Sequence, residues 1–124
     1  MNEKTKNVYI TAFNNAISDF LEDIANAYPD IPVFALLRTL HSVAVSNNRK
    51  LPMERFGKHV MQAYGEKLRK RDFTFFMNES YEDVPVDNDV VDHIKRLWNT
   101  MSDSNKECVK QHLQLLVDIY DIVM

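Results

Sequence analysis

Large apolar residues return every three or four positions over most of this chain, and that spacing limits its fold more than any other feature. It gives an α-helix one dry and one wet face, and it is a period that no β-strand can use. From Asn7 to Tyr28 the apolar set is Tyr9, Phe13, Ile17, Phe20, Leu21, Ile24 and Tyr28, with Asn14, Asn15, Asp19, Glu22, Asp23 and Asn26 on the opposite face. Pro29 is expected to stop this helix, because proline supplies no backbone donor and pushes its predecessor out of the helical region. Asp30 is expected to cap a second helix with Pro32 in its first turn. Its broad apolar face of Phe34, Leu36, Leu37, Leu40, Val43 and Ala44 makes it the helix expected to be most buried.

The run Ser46 to Lys50 ends that helix, and Pro52 opens a third whose inner face is read as Met53, Phe56, Val60, Met61, Tyr64 and Leu68. Gly57 inside it costs about 1 kcal/mol relative to alanine, and a close helix crossing would be a sufficient reason for it. Residues 69–89 are the least regular. Asp72 to Met77 reads as one short aromatic helical turn, followed by an acidic loop from Asn78 to Asp89. Helix resumes near Asp87 or Asn88, with Val90, Val91, Ile94, Leu97, Trp98 and Met101 on one side. The last helix can be capped by Ser102 or by Ser104, the latter with Glu107 in a capping box. Its inner row is Val109, Leu113, Leu116, Tyr120 and Val123, widened by Leu115, Ile119 and Ile122.

The predicted fold class is therefore all-α. Residues 1–124 form a single compact bundle of about five main helices plus the short aromatic turn, with residues 1–6 flexible. Two glycines, Gly57 and Gly65, are too few for a hairpin-rich sandwich or a glycine-lined phosphate loop. With Cys108 as the only cysteine, a disulfide-stapled secreted scaffold is excluded and an intracellular location is expected. The polar start of the chain is read as carrying no secretory signal, and Asn2 as removing myristoylation. Val33 to Val45, the most apolar stretch, is too short to span a bilayer and contains Arg38 and His41, so no membrane partner is expected.

The net charge of −3 hides a strong polarity. Residues 49–71 hold eight basic and two acidic groups, a balance of +6, whereas residues 72–103 hold two and eight, a balance of −6. Within the basic block, Lys67, Arg69, Lys70 and Arg71 fall within five residues, joined by Arg55 and Lys58 earlier on the same helix. These six are the candidate partner-binding residues, suited to an acidic protein surface or to phosphates. Phe73, Phe75 and Phe76 follow directly. They can stack on bases, but in so apolar a segment they are more simply core plugs.

No catalytic, cofactor or metal site is expected. Cys108 and His112 lie four apart on one helix, and His41, His59 and His93 are further candidate ligands, but zinc sites usually show a second local pair that this chain lacks. Cys108 as a nucleophile in the first turn of the last helix has a basis in the helix dipole. Nothing around it supplies an oxyanion site, and the plainer reading is a small semi-buried hydrophobe beside a surface histidine. Asp87, Asn88 and Asp89 lack the glycine that a calcium loop requires at its sixth position.

The segment Lys70-Arg71-Asp72-Phe73-Thr74-Phe75-Phe76-Met77-Asn78, then Ile94-Lys95-Arg96-Leu97-Trp98, then Met101 to Glu107, resembles small all-helical proteins of nucleocytoplasmic large (giant) DNA viruses. In those proteins an acidic residue before a Phe-Phe pair precedes a Trp-bearing helix, a Ser-x-x-Asn-Lys turn and a closing helix with a Leu-Gln-x-Leu run. Here that run is Leu113-Gln114-Leu115-Leu116. Phe20 to Pro29 and Phe34 to Leu40 match the looser front half. The resemblance implies a viral, intracellular origin and a helical fold, and carries over no activity and no functional residue.

The expected function is that of a non-enzymatic protein–protein interaction protein, an adaptor, assembly component or binder of a viral or host factor. It would dock through a helical face, with the basic 49–71 surface or the acidic 78–92 loop selecting the partner. Self-association is compatible with the opposed charge blocks. The alternative is a nucleic-acid-associated accessory protein of viral gene expression or genome packaging.

Overall fold

The computed structural model describes residues 1–72 and 99–124, and every regular element among them is helical. The chain order is α1 (Glu3–Ala27), α2 (Pro32–Asn47), α3 (Leu51–Phe56), a π-helical turn (Gly57–Met61), α4 (Gln62–Arg69) and α5 (Asp103–Val123). The expected aromatic turn beyond Asp72, the acidic loop and the tryptophan-bearing helix as far as Trp98 fall on residues outside those described; at the end of that expected helix Asn99 and Thr100 are helical and Met101 is buried. No described helix is long and apolar enough to cross a membrane.

α1 begins at Glu3, four residues before the expected Asn7, because the Asn2 side chain accepts the Thr5 N–H and caps the first turn. Residues 3–6, expected to be flexible, thus form that first turn. The helix ends at Ala27, two residues short of Pro29. α2 starts from Ile31 with Pro32 at its first position, and no side chain caps it, so the cap expected of Asp30 is not made. The closing helix takes Ser102 as its cap, the hydroxyl accepting the Asn105 N–H at 3.1 Å. The Ser104 capping box is not used.

α1 packs against both α2 and α5, and the α3–π–α4 rod lies along α5. One core cluster joins Ile10, Phe13 and Ala16 of α1 to Met53 of α3 and to Leu116 and Ile119 of α5. A second joins Met61, Leu68 and Val117. Phe56 and Tyr120 border both, and their rings form an edge-to-face series with Phe13 at centroid separations of 5.4 and 5.9 Å. A third, smaller cluster holds Phe34 and Met101.

Gly57 sits where the rod meets α5. A Cβ built on it would lie 2.5 Å from the Tyr120 hydroxyl and 2.9–3.0 Å from two ring carbons, so the close crossing expected from the sequence is present. The π turn starting there is the element that periodicity did not predict. Buried positions along the rod are Met53, Gly57, Met61, Gly65 and Leu68. Three successive steps of four rotate a row by about 120° on an ideal α-helix, and the wider turn takes up part of that drift.

Three expectations about burial are corrected. α2 is not the most buried helix: only Phe34 is fully buried, while Leu36, Leu40 and Val43 are 55%, 54% and 53% exposed. Among the described residues α1, α3 and Met101 pack against one side of it, and the apolar face is wider than that side. Asn14, placed on the wet face of α1, is buried. Its side-chain amide donates to the Arg49 carbonyl at 2.9 Å, while His41 donates its Nε2–H to the Asn14 carbonyl at 3.1 Å, since a carbonyl can only accept. On α5 the stripe widens toward Val117, which is buried, and leaves Leu115 and Ile122 about half exposed.

Candidate functional site

All six basic candidates, Arg55, Lys58, Lys67, Arg69, Lys70 and Arg71, are exposed, but they do not act as one free patch. Arg69 grips Asp121 of α5 with the Nε–Nη2 edge of its guanidinium, Nε 3.0 Å from Oδ2 and Nη2 2.7 Å from Oδ1. The hydrogen bonds from Arg69 hold the Asp121 carboxyl below the usual carboxylate range, and the same pair raises the Arg69 guanidinium further. Lys70 reaches back one turn to Glu66 at 3.1 Å. These two charges serve the rod and its junction with α5.

Arg71 is spent on geometry. Its φ of 59° is left-handed, and the Asp72 N–H bonds to the Lys67 carbonyl at 2.8 Å while the Arg71 N–H bonds to the Leu68 carbonyl at 3.0 Å. That is a Schellman stop with arginine where glycine is usual. Its side chain borders a shallow depression with Glu107, Lys110, Gln111, Gln114 and Asp118. Arg55 lines a different depression, so the cluster predicted as one surface is divided between two sides of the rod.

That second depression is the more apolar. It is an open trough of about 350 Å³ between α2 and the rod, floored by Ile17 and Leu21 of α1 and walled by Leu37, Leu40, Ala44, Phe56 and Val60. Arg55, His41 and His59 stand at its edges. Leu40 belongs both to the trough and to the exposed stripe Leu36, Leu40, Val43, so the apolar surface runs over α2 onto its outer side. The sequence signal for this surface is the width of the α2 apolar face, more than its packing partners among the described residues cover.

The cysteine and histidine candidates take up separate positions. His41 is held by Asn14, His59 borders the trough, and His93 lies outside the described residues. Cys108 is exposed rather than semi-buried, and because α5 begins at Asp103 it falls in the second turn, where the dipole has weakened. It shares a small cleft with His112 and Asp23, whose Nε2 and Oδ2 are 3.5 Å apart, and the His112 ring packs at 5.3 Å on Phe20. His112 is thus a bridge between α1 and α5, not the surface residue expected. Among the described residues no hydrogen bond joins Cys108 to His112, and no group of three or more metal-ligating side chains converges.

No family model matches the chain, and no curated protein or solved structure is significantly similar to it.

Proposed function

We propose that this chain is a non-enzymatic protein–protein interaction protein that docks through a helical surface, acting as an adaptor, assembly component or factor binder. The observation that carries the reading is the exposed apolar surface that α2 presents among the described residues, continued into the trough, with Arg55 and His59 at its border. Contiguous exposed apolar area on a small folded protein marks a binding surface more often than a solvated one. Helix ridges bordering an open trough suit a second helix presenting residues at three- and four-residue spacing. Action inside a cell, and the viral setting implied by the resemblance of the second half, belong to the same proposal.

The alternative of nucleic-acid contact has less support, because Arg69 and Lys70 are paired within the fold and Arg55 and Arg71 face different depressions. The test is crosslinking in the expressing cell, wild type against a Leu36→Glu/Leu40→Glu variant. Crosslinks from α2 to protein, lost in the variant while helical content is unchanged, are expected. Crosslinks confined to nucleic acid through Lys58, Lys67 or Arg71 would overturn the reading.

A further inference from the structure

We infer that the outward face of α2 is a homotypic interface on which a second copy of this chain docks antiparallel across a two-fold axis. The inference rests on the interaction reading above and names its partner.

The stripe has the spacing of a helix-pairing seam. Leu36, Leu40 and Val43 are separated by four and three residues, the alternation that keeps one line of side chains facing a neighbouring helix, and Val33, three residues before, continues the row while packing partly against the Phe34 cluster. Leu36, Leu40 and Val43 are each more than half exposed. The stripe is not overflow from the core, because α2 is already anchored from its other side by buried Phe34 and by His41 bonded to α1.

The seam also carries nothing that rejects its own copy. Arg38 is the only charged residue from Pro32 to Asn47, and it stands two residues from both Leu36 and Leu40, on the far side of the helix. The flanking positions, where helix pairs ordinarily select partners by charge, hold Leu37, Thr39, Ala44 and Ser46. Selectivity then comes from the ends. Asp30 precedes α2 and Arg49 and Lys50 follow it, all exposed; Lys50 also lies 4.0 Å from Glu3 of its own chain, so Arg49 carries most of the end's free positive charge. Antiparallel docking brings Asp30 of each copy to the basic end of the other, twice over by symmetry, whereas parallel docking sets like charges together.

With Leu36 opposite Leu40, the axis crosses the seam level with residue 38, on the face opposite the Arg38 side chain. A 16-residue helix is about 24 Å long, so the contact is at the small end of specific interfaces and the dimer is a dissociating one.

Sedimentation velocity on the full chain from about 1 to 200 μM tests this, since that range spans affinities typical of weak pairs. A reversible monomer–dimer equilibrium is expected. Leu40→Glu should abolish it with circular dichroism unchanged, because the side chain is exposed. Asp30→Lys should weaken the dimer by roughly three-fold or more, and Arg49→Asp with Lys50→Asp in the same chain should restore it. A wild-type chain that stays monomeric, a dimer indifferent to Leu40→Glu, or charge reversal without rescue would each overturn the antiparallel pair. A monomer whose α2 crosslinks to another protein still disappear in the Leu36→Glu/Leu40→Glu variant would sink the homotypic pair and leave the interaction reading standing. A monomer whose crosslinks are indifferent to that variant would sink both.

Discussion

α1 and α2 are both amphipathic and lie against each other, yet they use their apolar residues differently. α1 has α2 on one side and α5 on another, and it buries Ile10, Phe13 and Ala16 completely enough that even Asn14 is enclosed. α2 is the more apolar in sequence and buries Phe34 alone. Among the described residues the difference lies in how far the neighbours reach around each helix: α2, α3 and α5 all lie against α1, whereas α2 has α1, α3 and, at Phe34, Met101. An apolar stripe states how much surface a helix can remove from water, and the packing partners decide how much it does.

The contrast predicts its largest effect at Phe13. Truncation to alanine removes a ring enclosed by α3 and α5 residues and should cost about 3–5 kcal/mol in urea unfolding. Leu40→Ala on the exposed stripe should cost less than about 0.5 kcal/mol at concentrations where the chain is monomeric. Equal losses at the two sites would show that α2 is as enclosed as α1.

Next comes Gly57→Ala. Its methyl group meets the Tyr120 ring, which is held between Phe56 and the core, so a net loss of about 1–3 kcal/mol is expected. Gly65→Ala meets only the ends of Met61 and Arg69, at 3.3 Å and beyond, and should be neutral or stabilising by up to about 1 kcal/mol through helix propensity. Thermal melts of the two variants should move in different directions.

Asn14→Ala should cost about 1 kcal/mol. It leaves the Arg49 carbonyl without its donor, but it also removes a side-chain oxygen that has no partner. Chemical denaturation measures the loss, and a stabilised variant would show that the polar contact between α1 and the α2–α3 turn does not hold α2 in place.

The smallest effect is at the exposed rod–α5 pair. Because the folded Asp121 carboxyl titrates below its unfolded value, its contribution is present at neutral pH and is lost as pH falls through the folded value. Asp121→Asn should flatten the acid side of the stability profile slightly, and salt should mask the difference in the wild type. An unchanged acid limb at low salt would remove the pair as a contributor.

The helical class, much of the helix spans and the stop before Pro29 were legible in the sequence, because each depends on residues within a turn or two. Ser102 was one of two caps the sequence offered, and the crossing at Gly57 could be expected but its partner, Tyr120, could not be named. Asn14 was not. A polar residue beside Phe13 reads as wet until a turn 35 residues away is known to present a carbonyl to it. The bidentate pairing of Arg69 with Asp121 spans 52 residues, so a local run of basic residues looked free when one of its members was committed. The α2 surface was visible as a pattern and assigned to the wrong side, since periodicity gives the width of a face and is silent about what covers it. The six basic residues were legible as a cluster in sequence, and the rod sets Arg55 and Arg71 beside different depressions.

The π turn allows a simple reading of how the rod is built. Its buried positions step by four, four, four and three. Deleting one residue between Gly57 and Met61 would turn those steps into four, three, four and three, the regular spacing of an ordinary helix seam. The rod is thus a plain seam carrying one supernumerary residue, and the surplus is held in a single loosened coil directly over Tyr120 rather than spread as misalignment along its whole length.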